Sequence, residues 1–452
     1  MGRSLESRFE GYAQKMVEAL GHADRAVPAH WYLRGLMLPG ARKSVEPMAA
    51  QVHPEDVRSA HQSMHHLVAE AAWSDAALLA TVAREVVPVL SQAGAAPCYW
   101  IIDDTGFRKW GTHSVGVARQ YCGQLGKTDN CRVAVSLSLA TTAGSLPLAY
   151  RLYLPREWTD DLARCERAGV PATVGFATKG ELAWAQIEAA LAAGIPRGPV
   201  LIDAAYGDEA ALRDRLTAHD LIYAVGIRPQ TTVWWGEHQP ATPPARGKGR
   251  PRTRVVRDAA HQPLSVRELA LSLPAASYRM LTWREGTNSP LRSRFTRVRV
   301  SAAQAGRARA EEWLLIEWPK GESEPTRYFL STLPATVSLK ALVNTVKMRW
   351  RIERDYLELK QELGLGDYEG RNWRGFHHHA SLCIAAYGFL MLERLSGSKK
   401  NSAGLKAPAL PKGFRPRGAR TDAAPRSMVD RQRPLSPGVR NRKNAAAVSV
   451  VP

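Results

Sequence analysis

Three carboxylates in this chain stand where they could share one chemistry. Asp104 follows Trp100-Ile101-Ile102-Asp103, and Asp203 follows Val200-Leu201-Ile202, so each closes a short apolar run. Glu353 lies in a helical pattern whose Arg349 and Lys360 share its face, since at ~100° per residue the three fall within about 40° of one another. Carboxylates gathered on one scaffold repel unless cations neutralise them. All-oxygen ligands favour Mg²⁺ or Mn²⁺. Two such ions ~3.5–4 Å apart activate a hydroxyl nucleophile and stabilise the leaving oxygen in phosphodiester cleavage. Arg349 and Lys360 beside such a centre suit phosphate binding. Plainer readings stand alongside: a strand-end Asp can simply cap the next helix, and Arg349–Glu353 is also an ordinary (i, i+4) surface pair.

These residues need strands and helices to hold them. Residues 98–102 read as a buried strand running into a turn at 103–106, and further strands are expected over 131–141 and 146–154. A helix over 179–193 ends at Gly194 and Pro196. Next come a strand at 199–202, a helix at 208–218 and an apolar run at 221–227. Strands followed by strand–helix–strand indicate a mixed α/β sheet, and in such sheets sites gather beyond strand ends. Residues 228–310 break the rhythm with Pro240, Pro243 and Pro244, a basic run over 246–257, and Trp234, Trp235 and Trp283. With a strand candidate at 295–300, they read as a mostly β insertion. The pattern resumes with strands at 313–318 and 327–332, a long helix over about 338–363 bearing Glu353, and a buried helix over about 379–395. The expected organisation is a helical, DNA-binding unit over 1–92, a core in two parts over 93–227 and 311–395, the β insertion over 228–310, and a basic, proline-rich tail over 396–452.

Together the residues resemble the DDE transposases of bacterial insertion sequences. Within them the match is to the branch with a Tyr-x-x-Arg-x-x-x-Glu-x-x-x-x-x-x-Lys signature and a β insertion before the glutamate. Arg349, Glu353 and Lys360 keep the signature's spacing, while Val346 occupies the tyrosine position. The first aspartate maps to Asp104 within Asp104-Thr105, the second to Asp203. Gly116-Val117-Ala118-Arg119-Gln120-Tyr121 and the stretch from Gly364 to Arg371 extend the likeness. Asp103 competes with Asp104, but strand alternation aims neighbouring side chains at opposite faces, and the Asp-Thr match favours Asp104. The resemblance implies an RNase H-like α/β fold and an Asp104/Asp203/Glu353 triad holding Mg²⁺ or Mn²⁺, expected as two ions. It implies double-stranded DNA as partner, at element ends and target, and a homodimer in a synaptic complex. It also implies that an insertion aromatic, Trp234, Trp235 or Trp283, could hold a flipped base; the plainer reading is that these tryptophans are core.

Charge agrees with a polyanionic partner. Sixty-two Lys and Arg against 42 Asp and Glu give +20 over 452 residues, and residues 396–452 hold 13 basic and two acidic residues, +11 of the total. DNA is the first expectation and an anionic membrane the second; a merely solvated tail is the plain alternative. At 45% hydrophobic the chain can bury a core, which excludes wholesale disorder. Five scattered cysteines without C-x-x-C argue against a disulfide framework or zinc ribbon. The N-terminus has no apolar signal region, and the apolar run at 380–392 is short for a bilayer, so a cytoplasmic chain with no membrane partner is expected. Residues 123–127 lack P-loop spacing, so no nucleotide cofactor is expected. His377, His378 and His379 cannot share one ion from one helix face and read instead as a helix start or as exposed phosphate contacts. Two alternatives remain: a decayed transposase acting only as a DNA-binding protein, and a metal-dependent nuclease that cannot join strands.

Overall fold

A computed structural model describes residues 4–94, 97–236, 261–284, 290–304 and 307–401. The basic run at 246–257 and the tail beyond residue 401 lie outside the described residues.

The chain opens with five helices, α1 (Leu5–Glu18), α2 (Ala26–Met37), α3 (Val45–Val52), α4 (Val57–Ala69) and α5 (Asp75–Ala93). Short polar side chains start several of them: Ser4 accepts from the Ser7 amide, Asp56 from Ser59 and Ser74 from Ala77. Helix α5 is long and apolar enough to cross a membrane by length and composition, a feature the sequence reading did not single out. In this fold Leu78, Val82, Val86 and Leu90 of α5 are buried, and the helix packs on the last helix and on β4.

The sheet follows: β1 (Tyr99–Arg108), β2 (Ala118–Cys122), β3 (Lys127–Ala140), β4 (Ser145–Leu152). Then come α6 (Arg156–Thr159), α7 (Leu162–Arg167), α8 (Lys179–Ala192), β5 (Val200–Ile202), α9 (Ala204–Gly207), α10 (Ala210–Ala218) and β6 (Tyr223–Ile227). The next stretch holds β7 (Thr232–Trp234), β8 (Leu264–Ser265), α11 (Val266–Ser272), β9 (Arg279–Arg284) and β10 (Leu291–Gln304). The chain closes with β11 (Arg307–Trp318), β12 (Arg327–Ser331), α12 (Leu339–Lys347), α13 (Trp350–Gln361) and α14 (Trp373–Asn401).

The strands form one mixed sheet in the order β2-β3-β1-β5-β6-β12-β11-β10-β7-β8, with β4 on β3 and β9 on β10. β1 runs antiparallel to β3 and parallel to β5, and β5 is parallel to β6. Helices flank this sheet, giving the α/β architecture expected of an RNase H-like core with a helical N-terminal region. Its central strands β5 and β6 are buried along their whole length, as parallel strands covered on both faces must be. The strands of the 228–310 stretch extend the same sheet through β10 and β11.

Two expectations are corrected. The long helix over about 338–363 is two helices. Between α12 and α13 the amides of Met348, Arg349, Arg351 and Ile352 reach back three residues, to Thr345, Val346, Met348 and Arg349, a tighter winding than the α-helix. Side chains on either side of this break are anchored elsewhere: the Lys347 ammonium lies 2.6 and 2.7 Å from the two Glu317 oxygens of β11, and Arg349 reaches β1. The histidines, in turn, are not exposed. His377, His378 and His379 lie inside α14, each at most 4% exposed, because α14 is wrapped by α2, α4, α5 and β4.

Candidate functional site

Parallel pairing of β1 with β5 sets Ile102 beside Ile202, so the aspartates that follow, Asp103 and Asp203, emerge side by side. Asp104 comes one residue later and leans to the other face. The partners divide accordingly. On one side the Arg349 guanidinium, at the start of α13, lies 2.8 Å from Asp103 Oδ2. Burial works to lower the Arg349 pKa, but the charges of Asp103, Asp203 and Glu353 together hold it above its ordinary value. Burial also pushes the Asp103 carboxyl up, as do Asp203 and Asp104, against the lowering pull of Arg349. One half-buried cation is thus paired with Asp103 and feels the charges of Asp203 and Glu353 as well.

On the other face, Asp104 Oδ2 accepts from the Lys179 ammonium at 2.6 Å and from the Tyr206 hydroxyl at 3.0 Å. Lys179 is the first residue of α8, whose start is secured by a Thr178–Glu181 capping box. Tyr206 sits on α9, three residues beyond Asp203. Neither was singled out from the sequence; a tyrosine one short turn past a strand-end aspartate is the only local signal. Asp203 itself caps α9 by accepting from the Ala205 amide at 2.9 Å, so the plain reading of a helix cap holds for it while its charge also helps to keep Arg349 protonated.

Glu353 is exposed on the first turn of α13. At the far end of that helix, the Lys360 ammonium donates to the Gly106 carbonyl at 2.9 Å and to Gln124 at 3.2 Å. Burial lowers its pKa to about 8, with Cys122 and Asp104 pulling the other way. Arg349 and Lys360 therefore both return to β1, at Asp103 and at Gly106. Asp355 and Tyr356 lock the helix between them: Asp355 accepts from Ser145 at 2.5 Å and Tyr387 at 3.0 Å, and the Tyr356 hydroxyl meets Ser136 at 2.7 Å. Val346, in the place of the signature's tyrosine, is buried at the end of α12.

Among the described residues, no group of three or more His, Cys, Asp or Glu side chains gathers closely enough to hold a metal ion. The insertion tryptophans differ in exposure. Trp234 is buried, Trp235 half-buried, and Trp283 packs its half-buried ring against the Lys347 ammonium at 4.5 Å.

Comparison with known proteins bears on this arrangement. A family profile described as DDE superfamily endonuclease matches residues 15–290, a span that includes Asp103, Asp104 and Asp203 and stops short of Glu353. Over 208 residues the chain is 30% identical to a probable transposase for insertion sequence element IS701 from Microchaete diplosiphon, covering 45% of this chain and 50% of that protein. The chain thus spans about half the length of the curated relative it matches. With the profile spanning well over half of its residues, the chain belongs to the DDE superfamily of endonucleases.

Proposed function

We propose that this protein is an insertion-sequence transposase that cleaves double-stranded DNA at the ends of its element and joins the freed 3′-OH to target DNA. One observation carries the reading: a half-buried arginine paired with Asp103 at the end of β1 and held charged by Asp203 after β5 and Glu353 on α13 as well. Such a centre demands cations, and its donors are all oxygen, which suits Mg²⁺ or Mn²⁺; endonucleases of this family are in general divalent-metal dependent. Asp104, Asp203 and Glu353 are the proposed ligands, for two ions. When bound, the metal would supply an activated hydroxyl and neutralise the leaving oxygen.

The chain's own residues do the rest. Arg349 and Lys360, one at each end of α13, grip phosphates on either side of the scissile bond as charge-assisted donors. Glu353, exposed on the helix turn after Arg349, faces the DNA. Tyr356 and Asp355 fix the helix so that these groups keep their spacing. The reaction needs no covalent enzyme intermediate: water attacks the phosphodiester, and the released 3′-hydroxyl then attacks the target strand.

A second choice for the first ligand rests on the strand register. Continued one residue past Ile102–Ile202, the register brings Asp103, not Asp104, level with Asp203, and Asp103 is the partner of Arg349. The residues at 1–92 are proposed to bind DNA, the protein to act as a homodimer bringing two ends together, and its place to be the cytoplasm, at the nucleoid. The test is Mg²⁺- or Mn²⁺-dependent nicking of duplex carrying an element end, followed by a strand-transfer assay. Binding without nicking would leave a DNA-binding protein only, and nicking without joining would leave a nuclease.

A further inference from the structure

A cavity of about 440 Å³ opens beside Asp104, between the edge strand β2 and the segment that joins β4 to α6. Its lining includes three cations, Arg119, Arg156 and Lys179, one acid, Glu157, and two phenol rings, Tyr121 and Tyr153. β2 ends the sheet, with β3 as its neighbour, and the alternation of the strand turns Arg119 and Tyr121 to the same, exposed side. Tyr121 is 55% exposed, an unusual position for a large ring with no packing role. The Arg156 guanidinium stacks at 4.0 Å over Phe176, which holds it in place. Among the described residues neither Arg119 nor Arg156 is paired with a carboxylate. Lys179 ends the cavity with its ammonium 2.6 Å from Asp104 and 5.8 Å from the centre of the Tyr153 ring.

A second exposed aromatic stands close by. Trp110, 87% exposed, sits in a loop tied down by Asn130, whose amide donates to the carbonyls of Lys109 and Gly111. Asn130 is the register partner of Arg119. Arg108 lies 4.1 Å over the Trp110 ring.

We infer that this cavity is a subsite for an unpaired stretch of DNA strand next to the cleavage centre, with phosphates on Arg119 and Arg156 and a base on the Tyr121 ring. The inference rests on the reading of the protein as a DNA-cutting enzyme and deepens it. Unpartnered cations along a groove track a phosphate backbone, and open aromatic faces accept bases of any sequence; a paired duplex would offer its phosphates but no free base face. Cutting at an element end leaves strand termini that must be held apart, and this groove leads from solvent to Lys179 and Asp104.

The experiment compares the full-length chain and its variants for binding of dT12 and of a blunt 12-base-pair duplex, by fluorescence anisotropy in EDTA at fixed salt. The Arg119→Glu/Arg156→Glu pair is expected to weaken dT12 binding at least about tenfold while changing duplex binding less than about threefold. Tyr121→Ala is expected to weaken dT12 several-fold, and Tyr121→Trp to restore it, on the scale of one lost base stack. Arg119→Gln/Arg156→Gln gives the same order of effects with less charge perturbation. Unchanged dT12 binding, or equal loss on both probes, overturns the subsite. Because binding is read without metal, failure of the separate Mg²⁺- or Mn²⁺-dependent nicking assay would sink the cleavage reading, whereas loss of the dT12 preference would sink the subsite alone.

Discussion

The histidines of α14 are polar groups removed from water, the carboxylates around Arg349 are polar groups only partly so, and the two sets are satisfied in opposite ways. Each ring nitrogen of His377 and His379 meets a protein partner of the complementary kind. His377 donates through Nδ1 to the Trp373 carbonyl and accepts the Leu152 amide at Nε2, at 2.9 and 3.2 Å. His379 accepts from the Tyr32 hydroxyl and donates to the Gly364 carbonyl, at 2.8 and 2.9 Å. His378 lies between the carbonyls of Val68 and Trp73, stacked on the Trp73 ring. Burial drives the pKa of His377 and of His379 down to about 4, so both are neutral hydrogen-bonding pegs. The acidic centre instead keeps an excess of carboxylate for its one arginine, with Glu353 still exposed. A buried polar cluster that is complete specifies packing; one that still demands cations is poised for chemistry.

The largest expected effect separates the two regions. Asp203→Asn and Glu353→Gln should each lower metal-dependent nicking by more than about a hundredfold, the scale of losing one preorganised charge at a reaction centre, while melting within about 2 °C of wild type. Full nicking activity in either variant would remove that residue from the triad. Asp103→Asn and Asp104→Asn, assayed side by side, sharpen the same point. The one that abolishes nicking is the ligand, and the other should retain a substantial fraction.

Breaking a buried pair should cost stability more than activity when the pair serves only the fold. Lys347→Met strands Glu317, which is 4% exposed, and is expected to lower unfolding free energy by roughly 3 kcal/mol; Lys347→Met/Glu317→Leu should recover most of it. Arg349→Ala, which removes a partner only partly shielded from water, should cost about 2–3 kcal/mol in urea denaturation and also weaken DNA binding. No added loss in DNA binding would place Arg349 with Lys347 as an anchor alone.

The smallest effect concerns pH. The folded-state pKa of His377 and His379 lies below the ordinary value of about 6.5, so above that pH neither ring makes stability depend on pH. As pH falls from about 6.5 to about 4 the unfolded chain binds protons that the fold refuses, and stability declines by up to a few kcal/mol before levelling off. Urea titrations at pH 7, 5.5 and 4.5 should therefore give a shallower decline for His377→Gln than for wild type. Equal slopes would mean that His377 takes up its proton in the folded chain as readily as in the unfolded one.

Much of the scaffold was legible because its signals are local. Apolar runs ending in Asp104 and Asp203 correspond to β1 and β5, and the helix starting at Lys179 was marked by its stop at Gly194 and Pro196. The break between α12 and α13 was not legible. Nothing in Val346-Lys347-Met348-Arg349 interrupts a helix; the tight winding coincides with Lys347 and Arg349 being drawn to β11 and β1. The histidines were misjudged because their polarity suggests a surface, whereas their partners at residues 32, 68, 73, 152 and 364 come together only in the fold.

By itself the sequence carried the features on which the family resemblance rests: strand-end aspartates, a helical pattern with Arg349, Glu353 and Lys360 at signature spacing, and an excess of positive charge. Those are statements about residue type and short-range period, which local backbone preference and helix geometry translate directly. Only the tertiary structure decided which aspartate faces which partner. Parallel register sets Asp103 beside Asp203, and strand alternation sends Asp104 to Lys179 and Tyr206, 75 and 102 residues away. Such pairings follow from how strands and helices cross, and side-chain charge then settles where the crossings put it.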